Sequence, residues 1–229
     1  MTRVAAGILL IALPIAFNAA FGALAASFDY PNVLRRPTAE ILERFRSGGS
    51  RLVLLWWGFA MTAVLFAPLA VLVAASLGGA SPVLLDLGVT VGVLAAAVQF
   101  LGLIRWAFVV PYLARAYDVE GISDARRDVI DIVFQSLNRY LGVAVGEHLG
   151  YLLTGAWSIL VGVAVLQQGE LHPVVGIAGI VIGAVLAVCS IEFVGGFEPH
   201  GWKLAGIVTP FAYIAWSLWL VTMGVILLL

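Results

Sequence analysis

Charge is scarce in this chain. Lys, Arg, Asp and Glu make up 11% of its 229 residues, against 62% apolar. A water-soluble domain of this size could not cover itself with so few charges. Cysteine is almost missing: Cys189 is the only one, which excludes an internal disulfide and any cysteine-based metal site. A single thiol says nothing about redox compartment. The net charge of −1 removes any bulk electrostatic case for nucleic acid as a partner. Enzyme signatures are also missing. The sequence has no phosphate-binding loop, no dinucleotide-type glycine fingerprint after a strand, and no Gly-x-Ser-x-Gly turn.

What is present is apolar length. Six runs, roughly 4–27, 51–77, 84–113, 137–167, 172–196 and 202–228, alternate with segments that hold nearly every charge. A helix needs about 20 apolar residues to cross a bilayer. The lipid core offers no water to backbone amides, so each run is expected to be a helix. The reading is all-α: a polytopic transmembrane bundle of six spans. It forms a single integral membrane domain over residues 1–229, with no separate soluble module and with membrane lipids as partners.

Basic residues set the orientation. Arg35, Arg36, Arg44, Arg46 and Arg51 lie between the first two spans. Arg115, Arg126, Arg127 and Arg139 lie between the third and fourth, and Lys203 between the fifth and sixth. The connections around Gly78 and Gly169 carry no Lys or Arg. Lys and Arg stay on the cytoplasmic side, so both termini are expected outside. Arg3 alone is misplaced. A second reading makes Arg3, the run Val4–Phe17 and Ala23-Leu24-Ala25 a cleavable signal peptide. That would put the five-arginine loop outside, against the charge asymmetry.

Two connecting segments read as short amphipathic helices lying at the interface. In Thr38–Ser47, Ile41, Leu42 and Phe45 share one side, and Gly48-Gly49 ends the helix. In the second, Ser123 is the N-cap. Val129, Ile130, Val133, Phe134 and Leu137 form its apolar side, and it runs on into the fourth span. Pro14, Pro68 and Pro210 fall within spans, where each removes a backbone donor. In the fourth span, Asn138, Gly142, Gly146, Gly150, Thr154 and Ser158 make a ridge with little side-chain bulk. Gly176, Gly179, Gly183 and Ala187 match it in the fifth span, and Gly88, Gly92 and Ala96 in the third. Such ridges let helices approach closely in lipid. They serve either packing within one chain or a seam in a homo-oligomer.

Charges within spans are costly and invite explanation. Arg105, Glu147, His148 and Glu192 are the candidates, with Gln99 as a neutral companion. Arg105 lies ten residues before Arg115, and Glu147 eight after Arg139. At about 1.5 Å per residue, both should sit on the order of 12–15 Å from the cytoplasmic boundary. An Arg105–Glu147 ion pair is therefore expected to be within reach, with Glu192 nearer the interface. A polar pocket bounded by the third, fourth and sixth spans would be lined by Gln99, Arg105, Glu147, His148, Tyr151 and Tyr213. Two readings stand: a binding or transport site for a small solute, an ion or a proton, or a structural clamp in a scaffold or accessory subunit. No metal or cofactor is expected. The three histidines lie at different levels of this topology and cannot converge on one ion. Glu147-His148 also lacks the spaced histidine pair of zinc helices, and a lone buried histidine needs no haem to satisfy it.

Three stretches carry a family resemblance. They are Phe28-Asp29-Tyr30-Pro31 with Leu34-Arg35-Arg36-Pro37-Thr38, Gln99-Phe100-Leu101-Gly102-Leu103-Ile104-Arg105-Trp106, and Gly146-Glu147-His148-Leu149-Gly150-Tyr151. The chain resembles, along most of its length, the bacterial multi-pass membrane proteins of the domain-of-unknown-function family four-three-eight-six. The resemblance implies a location in a bacterial cytoplasmic (inner) membrane. It carries over no activity and no catalytic residue.

Overall fold

The structure is a computed structural model that describes residues 1–198 and 200–229. It is 88% helical, and no strand occurs among the described residues. Six stretches are long and apolar enough to cross a membrane: Thr2–Phe28, Thr38–Ser76, Pro82–Tyr117, Asp124–Gln168, Pro173–Phe193 and Lys203–Leu228. We label the helices α1 (Thr2–Phe28), α2 (Thr38–Ser76), α3 (Pro82–Tyr117), α4 (Asp124–Leu137), α5 (Gly150–Gln168), α6 (Pro173–Cys189) and α7 (Lys203–Leu228).

The spans form a closed ring in chain order. Each packs against the next, and α7 returns to α1. At that closure a Cβ on Gly7 would lie 3.0 Å from the Gly224 carbonyl oxygen, so the two backbones nearly touch. The interior is filled by side chains in two groups. One gathers Leu10, Phe66, Leu69, Trp157, Trp216 and Leu220. The other gathers Phe28, Phe45, Trp56, Phe59, Trp106 and Phe134. Within the second, the Trp56 and Trp106 rings stack with centroids 4.6 Å apart, and Phe28 meets both edge-on.

The connecting segments follow their local chemistry. Gly49 takes φ 55 and ψ −153 inside α2, a backbone state open to glycine, so the helix beginning at Thr38 breaks there before the span. Ile41, Leu42 and Phe45 are buried. Ser123 Oγ accepts from the Arg126 amide at 3.4 Å and starts α4. Only Ile130 and Phe134 of the expected apolar side of α4 are buried; Val129 is 58% exposed. The first connection is tied to α4 through Thr38, whose hydroxyl donates to Asp131 and accepts from Gln135. Asp29 accepts from Arg36 Nη2 at 2.7 Å. That hydrogen bond holds the Asp29 carboxyl below its ordinary range. The fifth span is helical only to Cys189, and two short 3₁₀ turns, Ser190–Phe193 and Gly195–Phe197, carry the chain out.

Glycine ridges set the closest approaches. Gly155 and Gly183 face each other across α5 and α6, as do Gly162 and Gly176; a Cβ on any of the four would lie 2.4–2.7 Å from the opposing carbonyl oxygen. Gly102 of α3 meets Gly146, where a Cβ would lie 2.6 Å from the Gly146 Cα. Every one of these contacts is made within the chain. Gly102→Ala should therefore lower stability in detergent by about 1–3 kcal/mol, because backbone and not a flexible side chain must move. Gly88→Ala, which meets nothing within 4 Å, should be neutral or stabilising through helix propensity. Thermal melting of both variants checks this; equal melting temperatures would refute the contact.

Candidate functional site

Between α4 and α5 the fourth span is not α-helical. Asn138–Leu149, 12 residues, is a π-helix, with hydrogen bonds reaching one residue further than in an α-helix. π-turns are usually single, and they cluster at functional sites. The sequence offers a reason for this one. Gly142 and Gly146 put no side chains on the face turned to α3; Arg105 fills the space at Gly142 and the Gly102 backbone that at Gly146. A Cβ on Gly142 would lie 2.4 Å from Arg105 Nη2. The wider turn keeps Gly146 against Gly102 while the guanidinium occupies the notch at Gly142.

Arg105 is buried, at 8% exposure. Its Nη2 donates to Asn138 Oδ1 at 2.8 Å, and its Nη1 donates to the Gly102 carbonyl. The guanidinium carbon lies 5.4 Å from the Trp106 ring centroid. The expected ion pair with Glu147 does not form. Among the described residues the salt bridges are six, and none includes Arg105 or Glu147. The two charges are within Coulombic range of each other, but the hydrogen bonds Arg105 makes go to a carbonyl and an amide oxygen. The π-turn places Glu147 toward the side away from the Gly142 notch, lining a cavity.

That cavity, about 300 Å³, lies between the π-segment with the start of α5 and the chain leaving α6. Arg139, Glu147, His148, Tyr151, Glu192 and Glu198 supply its polar and titratable lining, with Ser190 and Phe193 beside them. The third, fourth and sixth spans were the expected walls; instead the fourth and the end of the fifth provide them. Glu147 is partly buried by surface and has protein on nearly every side. No hydrogen bond from the described residues reaches its carboxylate. His148 Nδ1 lies 2.8 Å from the Ser190 carbonyl oxygen. A carbonyl can only accept, so Nδ1 carries a proton, and in the neutral ring Nε2 is left with a lone pair. Arg139 is paired with Glu198. The Glu192 carboxylate rests over α7, where a Cβ on Gly206 would lie 2.9 Å from Oε1.

Of the six residues expected to form the cluster, Glu147, His148 and Tyr151 line the cavity. Tyr213 packs behind Tyr151 with ring centroids 5.4 Å apart. Gln99 donates to Thr154 at 3.0 Å, within the α3–α5 contact. Arg105 sits in its own notch. Glu192 appeared in the sequence as a charge near the interface but not as a wall, and Glu198 was not singled out. Their signal is a pair of carboxylates bracketing Gly195-Gly196 at the end of an apolar run, which marks a turn back along the bundle. Among the described residues no three His, Cys, Asp or Glu side chains come together as a metal site.

Fold and site together define an integral membrane helical bundle with a polar cavity at one end of its fourth span. The chain belongs to the family described as domain of unknown function (DUF4386), whose pattern matches residues 5–224. No curated protein and no solved structure matches it.

Stripping the partner of one charge and removing the other charge should have different effects. Asn138→Ala strips an acceptor from a buried cation and should cost about 1.5–3 kcal/mol. Glu147→Gln removes a charge that has no partner and should leave the melting temperature unchanged or raise it. A large loss in Glu147→Gln would restore the ion-pair clamp.

Proposed function

We propose that this protein binds a small polar solute or ion inside the membrane, at the cavity containing Glu147, and handles it there or carries it across. One observation carries the reading: a carboxylate within a membrane span faces a cavity with no cation or donor committed to it. An ionised group in that position is costly unless something compensates it, and a ligand that visits the cavity is such a compensation. The π-turn supports the same reading, since it rotates Glu147 and His148 out of regular register at the expense of ordinary helix geometry. The structural role falls to another part of the cluster. Arg105 donates to the Gly102 carbonyl and to Asn138 and so ties α3 to the π-segment.

On this reading the bundle sits in a bacterial cytoplasmic membrane, as the family resemblance implies, and the positive-inside asymmetry supports both termini outside and the arginine-bearing connections in the cytoplasm. The helices at Thr38–Ser47 and Asp124–Leu137 then lie along the cytoplasmic interface. The cavity opens on the same side, because Arg139 and Glu198 stand at its mouth. In a Cys189→Ser background, Ser47→Cys should react only with reagent supplied from the cytoplasmic side, and Gly78→Cys only from outside. The reverse pattern would invert the placement.

The binding reading is tested by thermal stability of purified wild type and Glu147→Gln against ions, amines, carboxylates, sugars and nucleosides. A ligand that binds the native state raises the melting temperature by mass action. The expected result is a shift in wild type that the variant loses. Stabilisation equal in both proteins, or none with any class, would overturn the reading.

A further inference from the structure

We infer that the occupant of the Glu147 cavity is a small organic cation with several N–H donors, such as a protonated diamine or a guanidine. The inference rests on the binding reading above and names its ligand class.

The lining is rich in acceptors and poor in free donors. Glu147 and Glu192 form no ion pair and accept no side-chain hydrogen bond among the described residues. His148 has committed its Nδ1 proton to Ser190, and in the neutral ring Nε2 is an acceptor. The Ser190 hydroxyl donates to the Ala187 carbonyl at 2.7 Å, so its proton is taken. Arg139 is the one cation in the wall, and Glu198 engages it. Tyr151 is the remaining donor, and its ring and that of Phe193 supply aromatic wall. Arg35 and Arg105 act on Glu192 and Glu147 over distance, but neither lines the cavity.

An anion would meet two unpaired carboxylates and no free cation. A neutral polyol would find few donors for its own oxygens. A bare metal ion needs its ligands converged within a little over 2 Å, and among the described residues no such convergence exists. About 300 Å³ suits a molecule of several heavy atoms. Ammonium or guanidinium groups can donate to carboxylates set apart from one another, and aromatic faces add cation–π attraction.

The test is binding to the purified full-length protein in lipid nanodiscs by calorimetry. The probes are butane-1,4-diammonium, guanidinium and ethylammonium, against butane-1,4-diol, succinate, sodium and calcium. The expected result is that the diammonium probe binds at least about tenfold more tightly than the diol of equal length, and that Glu147→Gln and Glu192→Gln each weaken it about tenfold. Wild type alone decides the cation question, so a variant that misfolds does not block it. Binding of diol or succinate in preference to the diammonium, lost in Glu147→Gln, would overturn the cation class and leave the binding reading standing. Preference for sodium or calcium would likewise overturn it. No binding of any probe, together with no stabilisation by the broad panel, would overturn both.

Discussion

The contact between Gly102 and Gly146 governs the site. Two helix backbones meet there with no side chain between them, and in lipid such contact is the main source of helix association. Backbones this close leave no room for a long side chain unless one helix yields. Arg105, one turn from Gly102, is that side chain. The fourth span yields by widening to a π-helix over Asn138–Leu149 and receives the guanidinium against Gly142. The cost of a buried cation is offset by Asn138 and the Gly102 carbonyl. Glu147 is thereby released from any duty to Arg105.

A division of labour follows along a single helical stretch. The face toward α3, with Asn138, Gly142 and Gly146, is packing. The face toward the end of α6, with Glu147, His148 and Tyr151, is cavity wall. The other wall exists because α6 stops at Cys189, short of the expected span, and the chain returns through Glu192 and Glu198. Tyr213, Phe17 and Phe59 close the region behind Tyr151. The cavity is thus held by rigid, well-packed elements on one side and by short 3₁₀ turns on the other.

Much of this was legible in the sequence. Apolar length against the ~20 residues a bilayer needs gave the six helices, and the breaks at Gly48-Gly49 and Ser123 gave the boundaries of the connecting helices. Gly142, Gly146, Gly176 and Gly183 were visible as ridges because spacing survives folding. Glu147, His148 and Tyr151 could be grouped because they are local to one helix. The Arg105 partner could not be read. Depth places two charges at one level but does not say which way each side chain turns, and that depended on the π-register, which no propensity rule signals. The second wall was hidden for a related reason: hydropathy counts residues and does not distinguish a helix that continues from one that stops and turns back.

The central claim is that the Glu147 side of the π-segment faces an accessible cavity while its neighbours are packed. Reaction of single cysteines with a small water-soluble thiol reagent tests it most directly, in intact membranes and a Cys189→Ser background. Glu147→Cys should react, and Ser158→Cys, fully buried about three turns further along in α5, should not. A Glu147→Cys protein as inert as Ser158→Cys would mean that Glu147 is sealed inside the bundle, and the account of the site would fail.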